Sequence, residues 1–160
     1  MSSKERVASS KKTRAQKGYR RVIAFTKADE LASLCFDASH GIKKVDSWLA
    51  SQLMRASLSA PLNIAEGHGR GTLRDFLKFL ENAQSSLNEV EYLLEFLNRK
   101  DIVSDDEYEL LEPVRAEAAA VLAGLMKSLR LKLKVSNEWQ RNLGEEHAEY
   151  RVSADDEENS

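Results

Sequence analysis

The chain has 160 residues and a formal net charge of −2, with 42% hydrophobic and 31% charged residues, which suits one domain and is short for a barrel enzyme. Seven glycines and two prolines are roughly half the usual share, which argues against a turn-rich sandwich or barrel, and the single Cys35 excludes an internal disulfide. No run approaches the ~18 consecutive apolar residues of a membrane span and the N-terminus lacks a secretion signal's apolar stretch, so a cytoplasmic chain with no membrane partner is expected.

Charge is segregated along the chain. Residues 1–21 carry Lys4, Arg6, Lys11, Lys12, Arg14, Lys17, Arg20 and Arg21 against Glu5, a net charge of +7. Residues 134–160 carry a net charge of −5, and the stretch 22–133 between them is net −4. Both ends are poor in apolar residues and cannot repay the entropy of ordering, so a mobile basic arm and a mobile acidic tail are expected to flank a central domain. The arm offers Lys11, Lys12, Arg14, Lys17, Arg20 and Arg21 as contacts for an anionic partner. The central domain is no basic platform by its charge.

Within 22–133 the apolar spacing is helical throughout. Phe25, Ala28, Ala32, Cys35 and Ser39 recur at steps of three and four, which predicts a first helix over roughly 24–39 with Gly41 as a left-handed stop. Leu49, Leu53, Ala56, Ala60 and Ile64 continue the pattern with small residues that let a neighbour come close. Pro61 should interrupt this second helix, with Ser59 or Ala60 capping a short second part that Gly67 ends. The third is the long one: Leu73, Phe76, Leu80, Ala83, Leu87, Val90, Leu94 and Leu97 form a sustained heptad stripe. Thr72 and Asp75 fit a cap in which the hydroxyl takes the N3 amide and the carboxylate reaches back, and an end is expected near Asn98 to Asp101. A fourth helix should begin at Ser104, where Asp105, Asp106 and Glu107 suit the positive end of the dipole, and run through Leu111, Val114, Ala118, Val121, Leu125 and Leu129. Pro113 predicts a kink near Glu109 to Leu111, or a short leading turn. Four amphipathic helices with short connectors and no strand pattern give an all-α, up-down-up-down four-helix bundle. Leu77, Phe79, Tyr92, Leu93, Phe96, Leu110, Leu122 and Leu131 lie off the stripes, and this apolar excess points to self-association.

The densest local signal is Pro61-Leu62-Asn63-Ile64-Ala65-Glu66-Gly67-His68-Gly69-Arg70, followed by Asp75-Phe76-Leu77-Lys78-Phe79-Leu80 and Ser86-Leu87-Asn88-Glu89-Val90-Glu91. These segments closely resemble the P-x-N-I-A-E-G-x-G-R, D-F-x-x-F-L and S-L-x-E-x-E segments of the four-helix-bundle proteins encoded in intervening sequences of bacterial 23S ribosomal RNA genes. The fold also resembles the accessory variability determinant of diversity-generating retroelements, a pentameric bundle thought to contact nucleic acid and a reverse transcriptase. The resemblance implies a homopentameric bundle without assigned catalysis, with RNA, DNA or a reverse transcriptase as partner. Phe25 stands where a tryptophan is common, and Pro113 and the two charged ends have no counterpart in the family core. Family membership does not settle function.

Two chemistries compete for the motif. Asn63 and Glu66 share a face near Pro61 and can bond amides left free there, and Glu66 can pair with Arg70 or Arg55, which makes the motif structural. Alternatively Gly67, Gly69 and Gly71 expose amides beside Arg70 and Arg74 as a small anion site. The glycines follow a helix, so this is neither a dinucleotide fingerprint nor a P-loop. Arg70, Arg74 and Lys78, four apart, are the basic row of the central domain and its candidate phosphate contact. Catalytic signals are poor. Cys35 lies on an apolar stripe, as a buried hydrophobe would. His40, His68 and His147 have no ligand spacing, and Glu89, Glu91 and Glu95 lack histidine partners, which favours a solvated face or a subunit ion pair. No cofactor, metal or catalytic residue is expected. A non-catalytic oligomeric scaffold for nucleic acid or a protein partner is favoured over a small bundle-type hydrolase or metal enzyme.

Overall fold

The computed structural model describes residues 18–157, with side chains described through Glu138. Four α-helices and a short 3-10 turn, Gly18–Arg21, make up the described residues, with no strand among them. The helices are α1 (Ile23–Val45), α2 (Ser47–His68), α3 (Leu73–Arg99) and α4 (Asp105–Glu157). The chain divides into two compact units after Met126, and the helices α1 to α3 belong to the first.

The first helix runs past Gly41, where a stop was expected. Gly41 has no left-handed backbone, and Ile42 beside it is 1% exposed, so one more helical turn buries an isoleucine and outweighs the roughly 1 kcal/mol that glycine costs inside a helix. The chain turns on Asp46 instead. Its amide donates to the Ile42 carbonyl at 2.8 Å, closing α1, and its carboxylate accepts from the Leu49 amide at 2.9 Å, opening α2.

The second helix is likewise unbroken, in contrast to the interruption expected at Pro61. The ring removes one helical bond, the one to the Ser57 carbonyl, but Pro61 is itself buried and the turns around it bury Ala60, Ile64 and Gly67. Packing of those turns holds the helix through the proline. Ala60 is fully buried and caps nothing.

The third helix follows the heptad reading closely. Leu80, Ala83, Leu87, Val90, Leu94 and Leu97 are all 0% exposed, Phe76 is half-buried, and Leu73 in the first turn is exposed. Thr72 caps it by accepting from the Asp75 amide at 3.1 Å. The Asp75 carboxylate accepts from the Thr72 hydroxyl at 2.7 Å, where the sequence suggested the cap amide. Beyond Arg99 the chain reverses through Asp101, whose φ of 55° is left-handed, a region that aspartate visits more readily than most. The Ile102 and Val103 amides both reach the Leu97 carbonyl, and Val103 is buried.

In the fourth helix Ser104 Oγ accepts from the Glu107 amide at 3.3 Å, as its start signal required. The helix runs unbroken from Asp105 through Pro113, without the short leading turn that was one expectation. Pro113 and Glu109 are both exposed, so the carbonyl that the proline leaves free can bond water. The helical backbone extends through Glu157, beyond the expected domain end at residue 133 and into the acidic segment.

Helix α1 packs on α2 and α2 on α3. Lys27 on α1 meets Glu117 on α4 at 2.9 Å, and Arg115 on α4 meets Glu91 on α3 at 3.0 Å. The four helices therefore close a ring of neighbours, and connectors of one, four and five residues reverse the chain between them, consistent with a four-helix bundle. Arg115 is buried and is held by Glu112 as well as Glu91, so its charge is compensated on both sides. Of the residues off the stripes, Leu77, Leu93 and Leu122 are buried within the chain, whereas Tyr92, Leu110 and Leu131 are exposed.

Replacing Leu87 by Ala removes a fully buried side chain from the middle of the α3 stripe and is expected to cost about 2–5 kcal/mol. The drop is read as a lower urea midpoint at unchanged slope.

Candidate functional site at the turn between α2 and α3

The motif that begins at Pro61 folds into the last turns of α2 and the connector to α3. A Cβ placed on Gly67 would lie 2.5 Å from Phe79 Cβ and 2.9 Å from Phe76 Cδ2, so only a hydrogen fits where α3 crosses this point. The two phenylalanines lean on glycine backbone. His68 stands edge-on to Phe76 with ring centres 6.0 Å apart, and the Arg70 guanidinium lies 4.7 Å from the centre of the Phe79 ring while pairing with Glu66. Glu66 thus takes Arg70, one of its two expected partners. Arg55 instead reaches Glu89 on α3 at 2.7 Å.

Asn63 behaves differently from expectation. Its amide group donates to the Ser59 carbonyl and Ser59 Oγ, at 2.9 and 3.1 Å, and bonds no freed backbone amide. The unbroken α2 leaves no amide to rescue there, and a side chain four residues on points back at oxygens of the previous turn. Ser59 Oγ also lies 2.9 Å from Ser86 Oγ on α3, which makes a small polar tie between the helices.

The Gly69 amide is occupied too. Gly69 N donates to the Glu66 and Gly67 carbonyls, and Arg70 N donates to Gly67 O at 3.0 Å, as the orphan carbonyls of a helix end require. These carbonyls form the negative end of α2, an unfavourable place for an anion. Side chains and the N-terminal amides of α3, which starts in the same connector, are the turn's means of holding one. Lys78 Nζ sits 3.2 Å from Asp75 Oδ1, and Arg74 is exposed with no acidic partner among the described residues. Asp75 is held below the ordinary carboxylate range by the Thr72 hydroxyl first and Lys78 second.

A second set of cations meets this turn, which sequence spacing could not show. The Gly18–Arg21 turn packs on both α1 and α2, and Gly18 lies so close to His68 that a Cβ would sit 2.8 Å from its Cε1. Arg20 lays its guanidinium over Tyr19 and Phe25, 5.5 and 5.9 Å from the ring centres, with Nε buried and unbonded. Arg21 is exposed. The structure thus brings Arg20, Arg21, Arg70, Arg74 and Lys78 to one end of the first unit, around Gly67, His68 and Gly69. The candidates Lys11, Lys12, Arg14 and Lys17 lie outside the described residues.

Residues weighed for catalysis sit elsewhere. Cys35 is fully buried, and burial pushes its thiol up to about 12, opposed only weakly by a hydrogen bond with Ser57. His40 bonds the Phe36 carbonyl through Nδ1 at 2.9 Å. Glu89 and Glu91 each take an arginine of a neighbouring helix within the chain. Among the described residues no three His, Cys, Asp or Glu side chains are placed to hold a metal ion, and no helix there is long and apolar enough to cross a membrane.

An all-α bundle whose signature turn is built on a buried glycine between two phenylalanines is the class these features define. The model of the 23S rRNA-intervening sequence protein family matches residues 20–124, and the chain belongs to that family. Its fold is similar to the crystal structure of a protein of unknown function from the S23 ribosomal protein family of Bacteroides thetaiotaomicron, with a TM-score of 0.63 at 24% identity. That likeness covers 65% of this chain and 98% of the other. No curated protein matches the chain in sequence.

Two outcomes follow from the glycines. Gly67→Ala should destabilise by about 1–3 kcal/mol through overpacking against Phe79, whereas Gly41→Ala, with nothing within 4 Å of the added methyl, should stabilise by about 0.5–1 kcal/mol. Chemical denaturation of both variants checks the opposite signs.

Cys35 gives a pH-dependent outcome. Its folded pKa is raised, so the native state binds the proton more tightly and the thiol's contribution to stability fades as pH climbs above the unfolded value of about 8.5. At pH 8 native protein should resist iodoacetamide, and urea-unfolded protein should be alkylated readily.

Proposed function

We propose that this protein is a non-catalytic, oligomeric helical scaffold that binds nucleic acid, in an accessory role beside a protein partner such as a reverse transcriptase. The observation that carries the reading is the gathering of Arg20, Arg21, Arg70, Arg74 and Lys78 at one end, on the same side of the fold as the junction with the net-basic N-terminal segment. Phosphate contacts need positioned cations, and this end supplies them from two chain segments. The resemblance of the sequence to the accessory variability determinant, a pentameric bundle, favours the role and the assembly. Exposed Phe36 and Leu58, with half-buried Met54 between them, line a shallow groove between α1 and α2 that a second copy can cover. Against the alternative of a bundle-type hydrolase or metal enzyme stand a buried thiol with its pKa near 12 and carboxylates already engaged by arginines.

Light scattering is expected to show an oligomer at micromolar concentration. Anisotropy titrations against labelled RNA and DNA should show weak binding that falls steeply with salt, with a logarithmic slope of roughly three if about half the arm's charges meet phosphates. Deleting residues 1–17 should lower that slope without abolishing it. A strict monomer, or unchanged binding by the truncated chain, would refute the corresponding half of the proposal.

A further inference from the structure

The bundle is electrically polarised along its length. At the α2–α3 turn the cations Arg20, Arg21, Arg70, Arg74 and Lys78 face the carboxylates of Glu66 and Asp75. Those two acids are already taken by Arg70 and Lys78. Around the α3–α4 connector Asp101, Asp105, Asp106, Glu107 and Glu109 oppose only Arg99 and Lys100, and the α1–α2 connector adds Lys43 and Lys44 against Asp46. Helix α3, with 27 residues, separates the two ends by about 40 Å. Physiological salt screens charge beyond roughly 8 Å. A phosphate at the α2–α3 turn therefore feels the local excess of cations and very little of the distant acids, and the chain's formal charge of −2 says little about what this end attracts.

We infer that a nucleic acid backbone is held at this one end, on Arg21 and Arg74 with Arg20 beside them, and that Arg70 and Lys78 are secondary to these. The inference rests on the nucleic-acid reading above and assigns its site. Arg21 and Arg74 are exposed and have no carboxylate partner among the described residues, so binding a phosphate breaks no ion pair. Arg70 must leave Glu66, and Lys78 must leave Asp75, before either donates fully. Arg20 cannot swing away, because two aromatic rings carry its guanidinium, and it adds fixed positive potential between the segments. The contact of Gly18 with His68 holds the two segments in register.

The test is a salt-dependent anisotropy titration of the full chain with a labelled single-stranded RNA and a labelled DNA duplex. The variants are R21A/R74A, R74Q alone, and K43A/K44A at the far end. On the single strand, R21A/R74A should lower the logarithmic salt slope by about 1.4 and R74Q by about 0.7, while K43A/K44A leaves it unchanged. On the duplex the same losses should be about 1.8 and 0.9. All these positions are exposed, and thermal melts by circular dichroism confirm that each variant is folded. An unchanged slope in R21A/R74A, or an equal loss in K43A/K44A, overturns the site while leaving nucleic-acid binding intact. Absence of binding by the full chain to either probe overturns the reading beneath it and the site together.

Discussion

The close approach of α2 to α3 at Gly67 is the constraint on which the rest of this end depends. With no side chain at that position, Phe76 and Phe79 press against helix backbone, and the rings then become surfaces for other groups. His68 stands on one and the Arg70 guanidinium on the other. Because His68 is fixed, Gly18 has something to pack on, and the segment that enters α1 is brought to the same turn. A methyl group at residue 67 would press on this whole arrangement. The glycine's contribution is thus steric, since its backbone is ordinary helix and needs no left-handed conformation.

How much of this is legible in the sequence depends on whether the deciding contact is local. The α3 stripe, its Thr72 cap and the Ser104 start are set by neighbours three and four residues apart, and all three appear as read. The same is true of the Glu66–Arg70 pair. The misreadings share one cause: Gly41 and Pro61 are breakers by local propensity, but Ile42 beside one, and Ala60 and Ile64 around the other, are buried by helices distant in sequence. Tertiary packing outweighed a local cost of a few kcal/mol at most. Asn63 was misassigned as a result of the same error, since its expected role depended on a break that packing prevents.

The candidate site divides along the same line. Arg70, Arg74 and Lys78 at steps of four are visible as a row, but their difference in availability is not, because it depends on which of them has a carboxylate within reach. The meeting of Arg20 and Arg21 with that row comes from the packing of the Gly18–Arg21 turn on α2, with Gly18 against His68 across 50 residues of chain. No periodicity encodes it. Likewise Leu77, Leu93 and Leu122 look like surplus apolar residues on a heptad wheel, yet the bundle buries them, which reduces the apolar excess that argued for self-association. What stays exposed is gathered partly at Phe36 and Leu58, and the case for an assembling face now rests on those.

Net charge and local charge lead to opposite expectations for this molecule, and the geometry decides which governs binding. A sum over residues 22–133 gives a repulsive body with an attractive arm, so that all affinity would come from the arm. Within residues 22–133, resolved along the helices, the acids lie mostly in the half that holds the α3–α4 connector. The arm's root lies at the other end, several screening lengths away. On the proposed reading, attraction by the arm would be reinforced by the cations at its root instead of being opposed by the body. On the same reading, the acids of the far end would keep phosphate off that half and give the affinity a preferred end. A scaffold of several such subunits would present its cationic ends together only if the copies associate side by side, and the α1–α2 groove lies between two helices and away from the α2–α3 turn.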